Sequence, residues 1–181
     1  MEASEAHISK LIKRCKQGDR QACYLLYDSY SRSMYNIAYR IVGSTEEAQD
    51  VVQEAFVSAF KNLVHYRGDS TFGAWLKRIV VNKAINQIKK RRTERLPEDD
   101  RWDVKDEEPV DELEKFPFTV EKVKSSIRLL PEGYRLVLTL YLMEGYDHSE
   151  IAEILGITES TSKSQFNRSK KKLIELLKSK N

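Results

Sequence analysis

A chain of 181 residues with 31 Lys+Arg against 28 Asp+Glu, a net charge of +3, has room for one ordinary domain or two small helical ones, and excludes a large catalytic fold. Charged residues make up 33% and apolar ones 40%, with only 7 Gly and 4 Pro, which fits a soluble helical protein and speaks against a β-sandwich or a low-complexity chain. No apolar run approaches the roughly 18 residues of a membrane span, and the opening MEASEAHISK lacks the basic-then-apolar build of a signal peptide, so a cytoplasmic location is expected.

In chain order, Ile8, Leu11, Ile12 and Cys15 recur at the spacing of an amphipathic helix that Gly18-Asp19 interrupts. A second helix follows through Leu25, Leu26, Met34, Ile37, Ala38 and Ile41 to a capping Gly43. Ser44-Thr45-Glu46-Glu47 has the spacing of a capping box and opens a third helix, with Ala48, Val51, Val52, Ala55, Phe56 and Ala59 on one face. Residues 62–70 lose the period and read as a loop. A fourth helix over about residues 71–92 is expected to bury Phe72, Leu76, Ile79, Val80 and Ile85. Cys15 and Cys23 form no common metal or redox spacing, and are expected to be small apolar thiols kept reduced.

Residues 93–118, with three prolines and 11 acidic residues, read as an acidic linker or, around Asp111 to Lys115, a short acidic helix. Charge divides with it: 16 Lys+Arg and 9 Asp+Glu in residues 1–92 give +7, 4 and 11 in 93–118 give −7, and 11 and 8 in 119–181 give +3. Two basic blocks thus flank an acidic one. Beyond the linker, Val120, Val123, Ile127 and Leu130 form a helical stripe, and Pro131 suits the first turn of a helix carrying Leu136, Val137, Leu140 and Tyr141 up to Gly145.

The segment from Asp147 to Lys172 has the build of a helix-turn-helix. Asp147 and Glu150 form a cap-like pair, Ile151, Ala152 and Leu155 face inward, Gly156 permits the turn, Ile157 plugs the core and Thr158 caps the next helix. That helix turns Ser160, Lys163, Ser164, Asn167, Arg168 and Lys171 outward, and such a donor set suits major-groove bases and phosphates. Ser162 and Gln165 depart from the pattern. Ser162 stands where an aliphatic side chain is usual, and its hydroxyl is expected to bond back to its own helix at a modest cost in stability.

With these residues in view, the chain resembles the extracytoplasmic-function sigma factors of the sigma-70 family. The resemblance is carried by Asp50-Val-Val-Gln53-Glu54-Ala-Phe56, by Tyr66 to Ile79 with Trp75, by Asn82, and by the run from Leu130-Pro131 to Arg168, and covers about residues 20–177. It implies an all-α fold of two small domains, a region 2 domain over 1–92 and a region 4 helix-turn-helix domain over 119–181, joined by the acidic linker. It further implies that Asp50, Gln53, Glu54 and Phe56 dock on the clamp helices of the polymerase β′ subunit. Core RNA polymerase, through its β′ and β subunits, is the expected partner, together with duplex and single-stranded promoter DNA and an anti-sigma factor.

The same resemblance assigns residues 65–70 and the following helix to promoter opening and minus-ten recognition. Tyr66, Arg67 and Trp75 offer stacking surfaces, while Arg78, Asn82, Asn86 and Lys89, extended by Lys90, Arg91 and Arg92, offer a cationic and amide track. Ser160, Lys163, Ser164, Asn167, Arg168 and Lys171 are assigned to the minus-thirty-five element. Gly73 stands where the family more often has a larger, frequently basic residue. The linker's charge would imitate nucleic acid, or merely solvate a tether.

No phosphate-binding glycine loop is present, and His7, His65 and His148 are scattered, so neither catalysis nor a cofactor or metal is expected. Two other functions compete. A duplex-binding regulator would use the same helix-turn-helix as a symmetric dimer but leaves residues 44–92 unexplained. A helical protein adaptor would lack the steep salt dependence of phosphate contacts.

Overall fold

The computed structural model describes residues 5–94 and 118–179, and every regular element among them is helical. Residues 95–117, most of the expected linker, lie outside them. The chain divides into two compact units, parted between Leu96 and Pro97.

The first unit holds α1 (Glu5–Lys16), α2 (Arg20–Val42), α3 (Thr45–Lys61), a 3₁₀ turn (Leu63–His65) and α4 (Phe72–Glu94). Each boundary has a local cause. The Asp19 carboxylate accepts the N–H groups of Gln21 and Ala22 at 3.0 and 3.1 Å, which starts α2. Its carboxyl is held below the usual range by the Ala22 N–H and by the Arg14 side chain. Gly43, at φ 79°, closes the same helix by donating to Tyr39 O. Ser44 caps α3 through Glu47 N, and Thr71 Oγ1 accepts from Ala74 N at 3.2 Å in the first turn of α4. Only half of the expected capping box at Ser44 forms, because the Glu47 carboxylate pairs instead with Arg91 of α4 at 2.8 Å.

Helix α2 packs against α1, α3 and α4, and α3 against α4. Ala22, Ala38, Ala48, Ala55, Ala59 and Ala84 are all fully buried, so the backbones approach closely where these small side chains meet. Between them Leu26, Ile41, Leu76 and Val80 fill the core, each contributing about 1.5–3 kcal/mol by leaving water. Ile79 is only half-buried, against expectation, and the inward face of α4 instead adds Val81, Ala84 and Ile88. Helix α4 touches two neighbours and so needs a wider apolar face than one stripe.

The two cysteines are not the separate thiols expected. The turn at Gly18 sets the last turn of α1 against the first turn of α2, with the Cys15 and Cys23 Cα atoms 5.0 Å apart and their sulfurs joined in a disulfide. No spacing motif announces this, since the hairpin geometry alone brings the two together. Closing so short a loop stabilises the folded unit by about 2–3 kcal/mol through the unfolded chain's lost freedom. A thermal melt of the oxidised chain with and without a thiol reductant should show a fall of several degrees, which Cys15→Ser should reproduce without reductant.

The second unit holds α5 (Val120–Arg128), α6 (Glu132–Leu142), α7 (His148–Leu155) and α8 (Glu159–Ser179). Helix α8 packs on α5, α6 and α7, around Leu136, Val137, Leu138, Leu140 and Ile151. Of the expected stripe, Leu130 just beyond α5 is buried and Val123 and Ile127 are half-buried, while Val120 is exposed and Ser126 is the residue of α5 that is fully buried. Helix α6 ends at Leu142, before Gly145, which lies at φ 75° in the connection to α7.

Candidate nucleic-acid interface

In the first unit an aromatic group closes the loop between α3 and α4. The Tyr66 ring meets Phe72 edge-on with centroids 5.8 Å apart and Trp75 at 5.2 Å, while Phe72 and Trp75 lie 5.7 Å apart. The Tyr66 hydroxyl donates to Ser70 O at 2.6 Å, which draws the loop across itself, and Gly68 at φ 87° makes the reversal possible. Burial first, then the negative charges of Asp69 and Glu5, push the Tyr66 phenol up from its ordinary pKa, so it remains a donor.

Helix α1 contributes a contact that periodicity did not reveal. Lys16 Nζ donates to Tyr66 O at 2.8 Å and stands 5.9 Å from the centre of its ring. Beside it opens a cavity of about 1150 Å³ where Lys13, Lys16 and Arg67 stand among the rings of Tyr30, Tyr66 and Phe72, with the carboxylates of Glu5 and Asp28 also on its wall. Gly73 also lines it, and a Cβ there would lie 3.0 Å from Tyr30 Cε1. The absent side chain at this position thus has a packing cause, since a larger residue requires the Tyr30 ring to move.

Arg78, Asn82, Asn86 and Lys89 are all exposed and follow one another along α4 at four-, four- and three-residue steps, forming one row that begins a turn beyond Trp75. Trp75 itself is half-buried, with both packing and surface character. Arg91 does not extend the row: its half-buried guanidinium is engaged by Glu47 and by Val42 O at 3.5 Å. On α3, Asp50, Gln53 and Glu54 are exposed together, as expected, and Val57 joins them. Phe56 does not: it is 3% exposed, its ring 4.8 Å from Tyr27 and 5.8 Å from Phe60, because it continues the apolar stripe of Val52 and Ala59. Glu54 makes a surface ion pair with Lys83 at 3.2 Å.

In the second unit the helix-turn-helix is capped at both steps. Asp147 accepts from Glu150 N at 2.8 Å and the Glu150 carboxylate accepts from Asp147 N at 2.9 Å, a complete capping box. Gly156 turns the chain at φ 73°, and Thr158 Oγ1 accepts from Thr161 N at 3.0 Å in the first turn of α8. Ile151 and Leu155 are buried, whereas Ala152 and Ile157 are half-buried at the rim. Asp147→Ala should cost about 1 kcal/mol, read as a melting temperature several degrees lower for the second unit.

The exposure of α8 is graded. Ser160, Lys163 and Lys171 are exposed, while Ser164, Asn167 and Arg168 are half-buried along the margin. Lys163 pairs with Glu159 at 2.7 Å, so a phosphate would have to compete with that carboxylate. Gln165 is buried at 6% exposure, with its Oε1 unpaired. Ser162 is wholly buried, and its hydroxyl hydrogen-bonds His148 Nδ1 of α7 at 2.9 Å, where a bond back to its own helix was expected. No group of three metal-ligating side chains occurs among the described residues, and none of their helices is long and apolar enough to cross a membrane.

Comparison with known proteins agrees with this division. Residues 26–94 match the family model for Sigma-70 region 2, and residues 121–173 match that for Sigma-70 region 4. The RNA polymerase sigma-H factor of Pseudomonas aeruginosa is 32% identical, over 93% of this chain and 92% of its own. The ECF RNA polymerase sigma factor SigW of Bacillus subtilis is 30% identical, over 96% of this chain and 98% of its own. Among solved structures, the sigma factor RpoE in complex with the anti-sigma factor NepR, from Bartonella quintana, shares the fold with a TM-score of 0.57 and 22% identity, over 87% of this chain and 98% of that one. CnrH in complex with the cytosolic domain of CnrY does so with a TM-score of 0.56 and 24% identity, over 94% of this chain and 97% of that one. Two separate family blocks in the expected order, and relatives matched over nearly their whole length, place the chain in the extracytoplasmic-function group of the sigma-70 family of RNA polymerase sigma factors.

Proposed function

We propose that this chain binds core RNA polymerase through α3, captures unpaired promoter bases with the 66–75 loop and α4, and reads an upstream duplex element with α8, acting in the cytoplasm and without catalysis of its own. Asp50, Gln53 and Glu54 present an acidic, amide-bearing surface suited to Arg and Lys of the β′ clamp helices. Phe56 supports that surface from beneath. Tyr66, Arg67 and Trp75, with the cavity at Lys16, supply aromatic faces and positive charge for a displaced strand, and Arg78, Asn82, Asn86 and Lys89 continue the track. Binding energy released on stacking the bases offsets the cost of opening the duplex, so no nucleotide hydrolysis is needed.

The observation that carries this reading is the pairing, on one chain, of a cation-rimmed aromatic loop in one unit with a fully capped helix-turn-helix in the other. A duplex-binding regulator needs only the second. By likeness to the sigma factor RpoE solved in complex with the anti-sigma factor NepR, an anti-sigma factor is a proposed partner of this chain. The test is transcription from a genomic template by purified core polymerase, with and without the chain. Discrete new starts appearing only with the chain support the proposal, and unchanged starts with no association with polymerase refute it.

A further inference from the structure

His148 and Ser162 form a part-buried polar contact at the edge of the second unit's core that none of the assigned DNA-reading residues shares. His148 is the first residue of α7, and its ring bridges three helices. It stacks on Tyr141 of α6 with centroids 4.6 Å apart and planes 19° apart, and meets Phe166 of α8 at 5.5 Å. Tyr141 and Phe166 also touch, at 4.5 Å. From inside this ring cluster Nδ1 reaches the Ser162 hydroxyl at 2.9 Å, and Ser162 has no exposure to water. A hydroxyl in such a place is tolerated because it is hydrogen-bonded. Ser162 lies between Ser160 and Ser164 on α8, so the contact acts on the two turns of the helix that carry the first base-reading side chains.

We propose that His148 is a positioning residue for promoter reading: the neutral imidazole holds α8 in place through Ser162, and its protonation loosens the helix and weakens duplex binding. The proposal rests on the reading of α8 as the duplex-reading helix. When the ring proton sits on Nε2, Nδ1 accepts the Ser162 O–H; a second proton on Nδ1 reverses that bond, so the hydroxyl must turn its own proton away and accept from a charged ring that burial disfavours. The charged groups that act on the ring are Asp147 beside it, and Glu159 and Lys163 from α8, while α6 presents Tyr141. Burial, and after it the Lys163 ammonium, hold the imidazole below its ordinary pKa, with Glu159 and Asp147 opposing. The unfolded chain therefore takes up this proton more readily than the folded one. The contribution to stability is complete above the ordinary imidazole value of about 6.5 and is lost as pH falls through the lower folded value.

The test uses full-length chain bound to core polymerase and a labelled duplex of the upstream promoter element mapped by its own transcription starts. Affinity is measured at about pH 8 and about pH 5, the lower value chosen to protonate a ring held below the ordinary imidazole value. The wild-type chain should lose about 5- to 10-fold on acidification, the effect of one part-buried hydrogen bond. His148→Gln keeps an amide for Ser162 but does not titrate, so it should bind as wild type at the higher pH and lose less than about 2-fold at the lower. His148→Ala should bind about 5-fold more weakly at both, and Ser162→Val should flatten the profile. Equal pH dependence in wild type and His148→Gln overturns the proposal, as does wild-type affinity in His148→Ala.

A second readout is independent of DNA. Between the same two pH values the melting temperature of the second unit should fall further in wild type than in His148→Gln, and an identical fall overturns the proposal. A chain that starts no transcripts refutes the promoter-reading function, while the melts still decide whether His148 is the titrating contact.

Discussion

Reversing the charge of Asp50 and Glu54 together, to Lys, should weaken association with core polymerase by about 2–5 kcal/mol, which is about 30-fold to about 5000-fold in Kd. Both side chains are exposed, so the substitution leaves the core of the first unit intact. The ion pair it removes among the described residues, Glu54 with Lys83, joins side chains 66% and 36% exposed and is worth less than about 1 kcal/mol. A loss of that size must come from the partner, where a carboxylate that met Arg or Lys has become a like charge. Polymerase binding measured by competition, alongside a melt of the free chain, separates the two effects. Unchanged affinity with an unchanged melt would remove α3 from the interface. Substituting Phe56 is the poorer test, because its buried ring supports Tyr27 and Phe60 and its loss damages the fold.

Trp75→Ala should lower the yield of open promoter complexes by about 5-fold to about 150-fold, the effect of losing one base-stacking surface worth about 1–3 kcal/mol. Trp75 is half-buried against Tyr66 and Phe72, so truncation also loosens the loop, and Trp75→Phe is the needed companion because it keeps an aromatic face. The discriminating measurement compares binding of holoenzyme to a forked probe with an unpaired minus-ten strand against binding to the intact upstream duplex. A stacking role lowers the first alone. A role confined to packing lowers the melting temperature of the first unit and affects both probes alike.

Local chemistry made much of this molecule legible. Gly43, Ser44, Asp147, Gly156 and Thr158 act within four residues of themselves, and all five stand at helix ends or turns where short-range hydrogen bonding or a positive φ is required. The exposed sets on α3 and α4 were readable for a similar reason, since a 3.6-residue period fixes which side chains share a face. What escaped were contacts between helices. Arg91 looked like one more cation in a basic run but lies against Glu47, 44 residues away. Lys16 belongs to no motif, yet it holds the loop at Tyr66, 50 residues on.

The sequence by itself determined the helical class, the division into a first and a second unit about an acidic stretch, and several of the residues that cap and turn the helices, because these depend on periodicity and on hydrogen bonds within a turn. Only the tertiary structure decided which members of those patterns act together. It joined Cys15 to Cys23 across a hairpin, withdrew Phe56 from the surface, turned Arg91 onto Glu47, and gave Gly73 a reason in the ring of Tyr30. It also turned Ser162 from an apparent flaw in an apolar stripe into the partner of His148. Each depends on the distance between helices in space. That distance is set by how side-chain volumes fill the core, which no window along the chain contains.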